Sequence, residues 1–143
     1  YKAPYTVNQQ EGQVLFGRGA YELYRTKDAT YVTATYRCPE DWWFFNFNSG
    51  WAIIDNKRGD RYMLREVEYY PTDTCFWIKD SRDKFVRFVL VFPPLPKKVK
   101  TVDFFIPSGE SRFNFDGSEK HMSGLRVEDL RPKHRIPQGE VIR

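Results

Sequence analysis

Cysteine is nearly missing from this chain: Cys38 and Cys75 are the two it has in 143 residues. Two cysteines exclude a disulfide framework, and without a CxxC pair there is no thiol–disulfide redox centre within the chain. Histidine is just as scarce, and His121 and His134 do not combine with the cysteines in any zinc-ligand spacing. No apolar run approaches the roughly 20 residues that cross a bilayer as a helix. GxSxG and HExxH are absent, and Gly17 and Gly19 in FGRGAY make only a GxG, with no strand–helix context to cradle phosphate. The first residues, Tyr1-Lys2-Ala3-Pro4, contain no apolar h-region of a signal peptide. These absences lead to an expectation of no cofactor, no metal site, no catalytic residue and no transmembrane segment.

Aromatic residues are plentiful. They make up 17% of the chain, with 12 Phe, 9 Tyr and 4 Trp, and such rings fill a pleated, half-buried surface well. Alternation is clearest in Phe85–Phe92, where Val86, Phe88, Leu90 and Phe92 form an apolar set and Arg87 interrupts the other. It resumes after PPLPKKVK with Val102, Phe104 and Ile106. A period of two marks strands with one face on a core. Similar patterns predict strands at Tyr21–Arg25, Ala29–Cys38, Trp42–Phe47, Trp51–Asp55, Arg61–Tyr70 (returning antiparallel), Thr74–Ile78, Phe113–Phe115 and Leu125–Val127. Ser118–Ser123 is the best helix candidate. Short strands separated by turn chemistry predict an all-β fold, an antiparallel immunoglobulin-like β-sandwich of one domain, with a closed OB-like barrel as the competitor. The expected organisation is an N-terminal arm or irregular lead-in over 1–19, the sandwich over 20–131, and a polar, extended tail over 132–143.

Candidate functional residues are few. Trp42–Phe47, WWFFNF, is apolar on both alternating faces and reads as a strand buried on both sides, or as one with an exposed aromatic face. Should a surface be functional, Trp42, Trp43, Trp51 and Trp77 are the residues expected to form it, because indoles stack on sugar faces and anchor protein interfaces. Glu66 and Glu68 fall on one strand face but read as a solvated face rather than a glycosidic acid/base pair. His121 and His134 read as exposed. Asp55, Asp60 and Asp116 read as turn formers rather than calcium ligands. The net charge of +4 and the runs PKKVK (96–100) and RPKHR (131–135) make nucleic acid a weaker partner class, since in strand-rich proteins such lysines also discourage edge pairing.

Three stretches together carry a family likeness: WAIIDNKRGDRYMLREVEYYPTDTCFWI (51–78), LVFPPLPKKVKTVDFFIPSGE (90–110) and GLRVEDLR (124–131). They resemble uncharacterised secreted or envelope proteins of the Bacteroidetes. They are also similar to the immunoglobulin-like β-sandwich that precedes a thioredoxin module in some thiol-disulfide oxidoreductases of that phylum. The resemblance implies export to the periplasm, outer membrane or exterior. Having no CxxC and no thioredoxin module, this chain inherits no catalytic role from it. In an exported protein Cys38 and Cys75 would be expected to bond if their strands ran side by side with the sulfurs at the same end. The resulting expectation is a non-catalytic interaction module with a protein or glycan partner, the alternative being a basic single-strand nucleic-acid binder with a barrel fold.

Overall fold

The computed structural model describes the backbone of residues 6–8, 13–16, 19–38, 40–80, 82–107, 120–132 and 140–142, and the side chains of 20–38, 40–80, 82–107 and 121–132. Its elements in chain order are β1 (Thr6–Asn8), β2 (Gln13–Phe16), β3 (Gly19–Arg25), β4 (Thr30–Arg37), β5 (Trp42–Phe45), β6 (Ala52–Asp55), β7 (Arg61–Met63), β8 (Glu66–Val67), β9 (Phe76–Lys79), β10 (Phe85–Phe92), β11 (Thr101–Ile106), β12 (Lys120–Arg126), the short helix α1 (Val127–Leu130) and β13 (Glu140–Ile142). The fold is all-β and sandwich-like.

A seven-stranded sheet runs β1-β2-β3-β4-β10-β13, with β8 also on β10. Its longest ladder pairs all eight residues of β10 with β4, from Phe85↔Arg37 to Phe92↔Thr30. A four-stranded sheet, β12-β11-β6-β7, and a two-stranded ribbon, β5-β9, supply the opposing face. Pairing is antiparallel throughout, apart from β10 with β13, which run parallel. Among the described residues the sheets remain separate and none closes on itself, so the layered reading holds over the barrel.

The core lies between these layers. Val86, Phe88, Leu90 and Phe92 of β10 are each at most 1% exposed, while the residues between them are half-buried, as the period of two requires. Opposite them stand Ile53, Val102, Phe104, Met122 and Leu125 of the four-stranded sheet and Phe45 and Ile78 of the ribbon. Phe88 is the hub of an aromatic cluster, with ring centroids 4.8 Å from both Phe45 and Phe47, 5.3 Å from Tyr70 and 5.9 Å from Phe76. One polar contact is enclosed in it: the Tyr21 and Tyr36 hydroxyls are 3.2 Å apart. Burial pushes the Tyr21 phenol up to about 12, and burial likewise raises Tyr36 well above its ordinary value.

PPLPKKVK forms the corner by which the chain leaves one sheet for the other. Leu95 and Val99 plug the core. The Arg25 guanidinium donates to the Pro96 and Val99 carbonyls at 2.8 and 2.9 Å, and the Thr30 hydroxyl accepts from the Leu95 N–H. A second crossing occurs where one long strand, Arg61–Tyr70, is expected from the sequence. The Leu64 N–H donates to Trp51 in one layer, and the next N–H, Arg65, donates to Val91 in the other. The predicted strand therefore splits into β7 and β8.

Other expectations are corrected as well. The lead-in over 1–19 supplies strands β1 and β2, which extend the large sheet, and the tail supplies β13. These segments are only three or four residues long, too short for alternation to be read locally, and each pairs with a neighbouring strand. Lys120–Ser123, within the helix candidate, belongs to β12. The predicted strand around Phe113–Phe115 lies outside the described residues.

Two outcomes are expected. Phe88→Ala should cost about 3–5 kcal/mol in urea unfolding, because five neighbouring rings cannot collapse into the void. Raised phenol values give stability that is present below pH of about 10 and lost as pH rises through the folded values. Wild-type stability relative to Tyr21→Phe/Tyr36→Phe should therefore fall between about pH 10 and 12, as followed by alkaline unfolding.

Candidate functional site

The β5–β9 ribbon pairs Trp42 with Lys79, Trp43 with Ile78, Phe44 with Trp77 and Phe45 with Phe76. Strand alternation then sorts its side chains. Trp43, Phe45, Phe76 and Ile78 face the core. Trp42, Phe44, Trp77 and Lys79 face outward. Trp42 is 55% exposed and Trp77 48% exposed, so of the two readings of WWFFNF the structure has the one with an exposed aromatic face rather than burial on both sides.

The outward rings form a connected group. Trp42 and Trp77 lie diagonally across the ribbon with centroids 4.5 Å apart and planes inclined by 34°. Phe44 meets Trp77 edge-on at 4.9 Å. Charged groups border the Trp42 end: Arg82 pairs with Asp41 at 3.0 Å and with Glu40 at 3.7 Å, and Arg37 pairs with Asp83 at 3.1 Å. The arrangement is an apolar platform of about three rings with hydrogen-bonding groups at its rim.

The expected tryptophan surface is thus only partly assembled. Trp42 and Trp77 come together, Trp43 is half-buried against the core, and Trp51 is 4% exposed among Tyr21 and Phe47. Trp51 belongs to the core because it enters β6, whose residues on both sides are covered. Phe44 and Lys79 complete the platform and were not singled out by the sequence reading, although their i, i+2 spacing from Trp42 and Trp77 carries the signal.

No disulfide joins Cys38 to Cys75. Cys38 exchanges backbone hydrogen bonds with Asp83 and Lys84, beyond the Trp42↔Lys79 end of the ribbon, whereas Cys75 precedes Phe76 at the other end. Four strand residues, at about 3.3 Å each, separate those ends, more than the roughly 7 Å between Cα atoms that a disulfide spans.

A second polar cluster sits on the outer face of the four-stranded sheet. Between Val102 and Phe104 the β11–β12 register shifts, so that Ser123 and Gly124 stand opposite Asp103 alone. Gly124 takes a φ of +73°, which the bulge requires and a side chain would resist. The Asp103 carboxylate accepts from the Gly124 N–H at 2.9 Å, the Asn56 amide at 2.9 Å and the Ser123 hydroxyl at 3.2 Å, and His121 Nε2 is 3.5 Å away. His121, expected to be exposed, is half-buried here against Phe105. Burial pushes the Asp103 carboxyl up, but the hydrogen bonds from Gly124, Asn56 and Ser123, with His121 close by, outweigh it and hold it below the usual range. Serine, histidine and aspartate meet here, but the hydroxyl donates to the carboxylate rather than to the imidazole. The cluster closes a bulge. Glu66 is exposed and Glu68 half-buried on and beside β8. His134 lies outside the described residues, which contain no group of three metal-ligating side chains.

Fold and platform together define an all-β, sandwich-like domain with a small aromatic face. The chain matches no protein-family model, no curated protein and no solved structure.

Asp103→Asn should destabilise the chain at neutral pH by about 1–3 kcal/mol, by weakening several buried bonds at once. A carboxyl held below its unfolded value of about 3.9 gives stability that is present above that value and is lost as pH falls through the lower folded one. The wild-type advantage in urea unfolding should therefore shrink in acid. A gap independent of pH would contradict the assignment.

Proposed function

We propose that this chain is a non-catalytic, exported binding domain whose ligand is a glycan held on the outward face of the β5–β9 ribbon. The observation that carries the reading is the Trp42–Trp77 pair, two large rings kept half in water by a ribbon whose other face is buried. Apolar side chains grouped at the surface mark interaction sites more often than scattered ones do. A platform of about three rings is small against the roughly 800 Å² per partner of a standard protein interface, yet matches one or two pyranose rings. Sugars have an apolar face for the indoles and hydroxyls around the edge. Lys79, Asp41 and Arg82 at the rim supply charged donors and acceptors for those hydroxyls. The likeness to Bacteroidetes envelope proteins supports export, where glycans are the abundant ligands. The nucleic-acid alternative is less supported at this face, since Lys79 is the one basic residue among the rings and the arginines at the rim are paired with Asp41, Glu40 and Asp83.

Titration with a panel of soluble oligosaccharides, followed by tryptophan fluorescence, tests the reading. At least one glycan should perturb emission saturably, and Trp42→Ala and Trp77→Ala should each weaken it about tenfold. Iodide should quench these two indoles and spare Trp51. Binding unaffected by both substitutions, or no binding by any member of the panel, would refute the glycan platform.

A further inference from the structure

The other end of the four-stranded sheet holds a depression of about 210 Å³ lined by Asp55, Lys57, Arg58, Lys98, Lys100 and Thr101. Two loops distant in sequence build it. Asp55 pairs with Val102 across β6 and β11, so the residues after Asp55 and those before Thr101 emerge side by side. The Asn56 N–H donates to the Thr101 carbonyl at 3.1 Å, which ties the loops together.

Both loops are held in place. The Asp55 carboxylate accepts from the Lys57 N–H at 3.0 Å and the Arg58 N–H at 3.4 Å, and Gly59, at a φ of +79°, donates to the Asp55 carbonyl. On the other side Val99 is buried, and the exposed Lys98 and Lys100 that flank it both line the depression. Arg25 clamps that turn through the Pro96 and Val99 carbonyls, and the Lys100 carbonyl accepts from Val127. The backbone under four cations is therefore preorganised.

These four cations are set apart by lining one hollow together, since Lys27, Lys79, Lys84 and Lys97 also form no ion pair among the described residues. Arg37, Arg82, Arg87 and Arg126 each pair with a carboxylate, Arg65 donates to the Asp28 carbonyl and Arg61 lies over Phe105. Lys57, Arg58, Lys98 and Lys100 form no ion pair among the described residues. The one carboxylate lining the depression, Asp55, is buried and engaged by backbone donors, and Asp60, whose carbonyl accepts from the Asp55 N–H, is not among the lining residues. The lining thus keeps a net positive charge of three, whose mutual repulsion a bound anion would relieve.

We propose that this depression is a binding site for a tetrahedral oxyanion, the phosphate or sulfate monoester of a small ligand or of a modified glycan. Its volume is below the roughly 300 Å³ at which drug-sized ligand pockets begin, which suits one phosphoryl or sulfuryl group and its attachment rather than an extended ligand. An arginine fork and three ammonium groups from two sides match the oxygens of such a group, a dianion as the phosphate ester and a monoanion as the sulfate ester. A nucleic-acid strand fits less well, because the exposed tryptophans lie beyond the opposite end of β6 and offer no stacking partner here. The site is independent of the aromatic platform, and neither depends on the other being correct.

The test uses the full chain labelled with ¹⁵N and titrated with inorganic phosphate, inorganic sulfate, glucose 6-phosphate, glucose 6-sulfate and single-stranded oligonucleotides of increasing length, at constant ionic strength set with chloride. The expected result is saturable binding of at least one small oxyanion, with amide shifts confined to residues 55–59 and 97–101. Lys57→Ala/Lys100→Ala should weaken it about tenfold or more, while Lys97→Ala, whose side chain lines the neighbouring surface with Arg25 and Pro94, should not. The tighter of the two sugar esters identifies the source of the anion. Shifts spread over all surface lysines, no saturation, equal binding by the double variant, or an affinity that climbs with oligonucleotide length would each overturn the proposal. The amide spectra also report whether every variant is folded.

Discussion

Phe88 sets the constraint on which the rest of the structure depends. Its ring is fully buried and meets Tyr36 from its own sheet and Phe45, Phe47 and Phe76 from the opposing layer. Phe45 and Phe47 are two residues apart, so burying both commits that alternate set of the strand to the core. The intervening residues must then face away. Exposure of Trp42 follows from this, and cross-strand pairing carries it to Trp77 on β9. The aromatic platform is thus the outer side of a ribbon whose inner side is fixed by packing on one phenylalanine.

Polar groups mark the places where packing alone would leave register open. Glu22 is 1% exposed and accepts from Arg87 at 3.0 Å and Thr33 at 3.2 Å, tying β3, β4 and β10 together on the face away from the core. Such a buried pair is weak evidence for stability, but a one-residue slip in any of the three strands would separate its members. Asp103 does the same for β11 and β12 at the bulge, where an apolar residue would leave the Gly124 N–H without its acceptor. These contacts specify one pairing among several that the apolar pattern would tolerate.

The two candidate binding surfaces differ in chemistry and lie at different ends of β6. The ribbon adjoins its start through Phe47 and Trp51, and the cationic depression follows its last residue, Asp55. One surface offers rings with a charged rim, the other fixed cations around a small hollow.

Much of the architecture is local and therefore legible in the residues. The limits of β10 and β11 follow from their alternation, and the prolines of PPLPKK mark a corner because proline cannot continue a ladder. The strand pattern likewise identifies an all-β chain. Alternation does not tell which of two apolar faces is covered, and in WWFFNF it left Trp42 indistinguishable from a core residue. It also could not place Cys38 and Cys75 at opposite ends of a ribbon, split Arg61–Tyr70 between two layers, or recruit β1, β2 and β13, each too short for alternation to be read locally. Nor could it bring Lys57 and Arg58 beside Lys98 and Lys100, 40 or more residues away. The period of a strand is set by its own backbone, and the sequence alone determined that. Which strands become neighbours depends on long-range burial and pairing, and only the tertiary structure decided that.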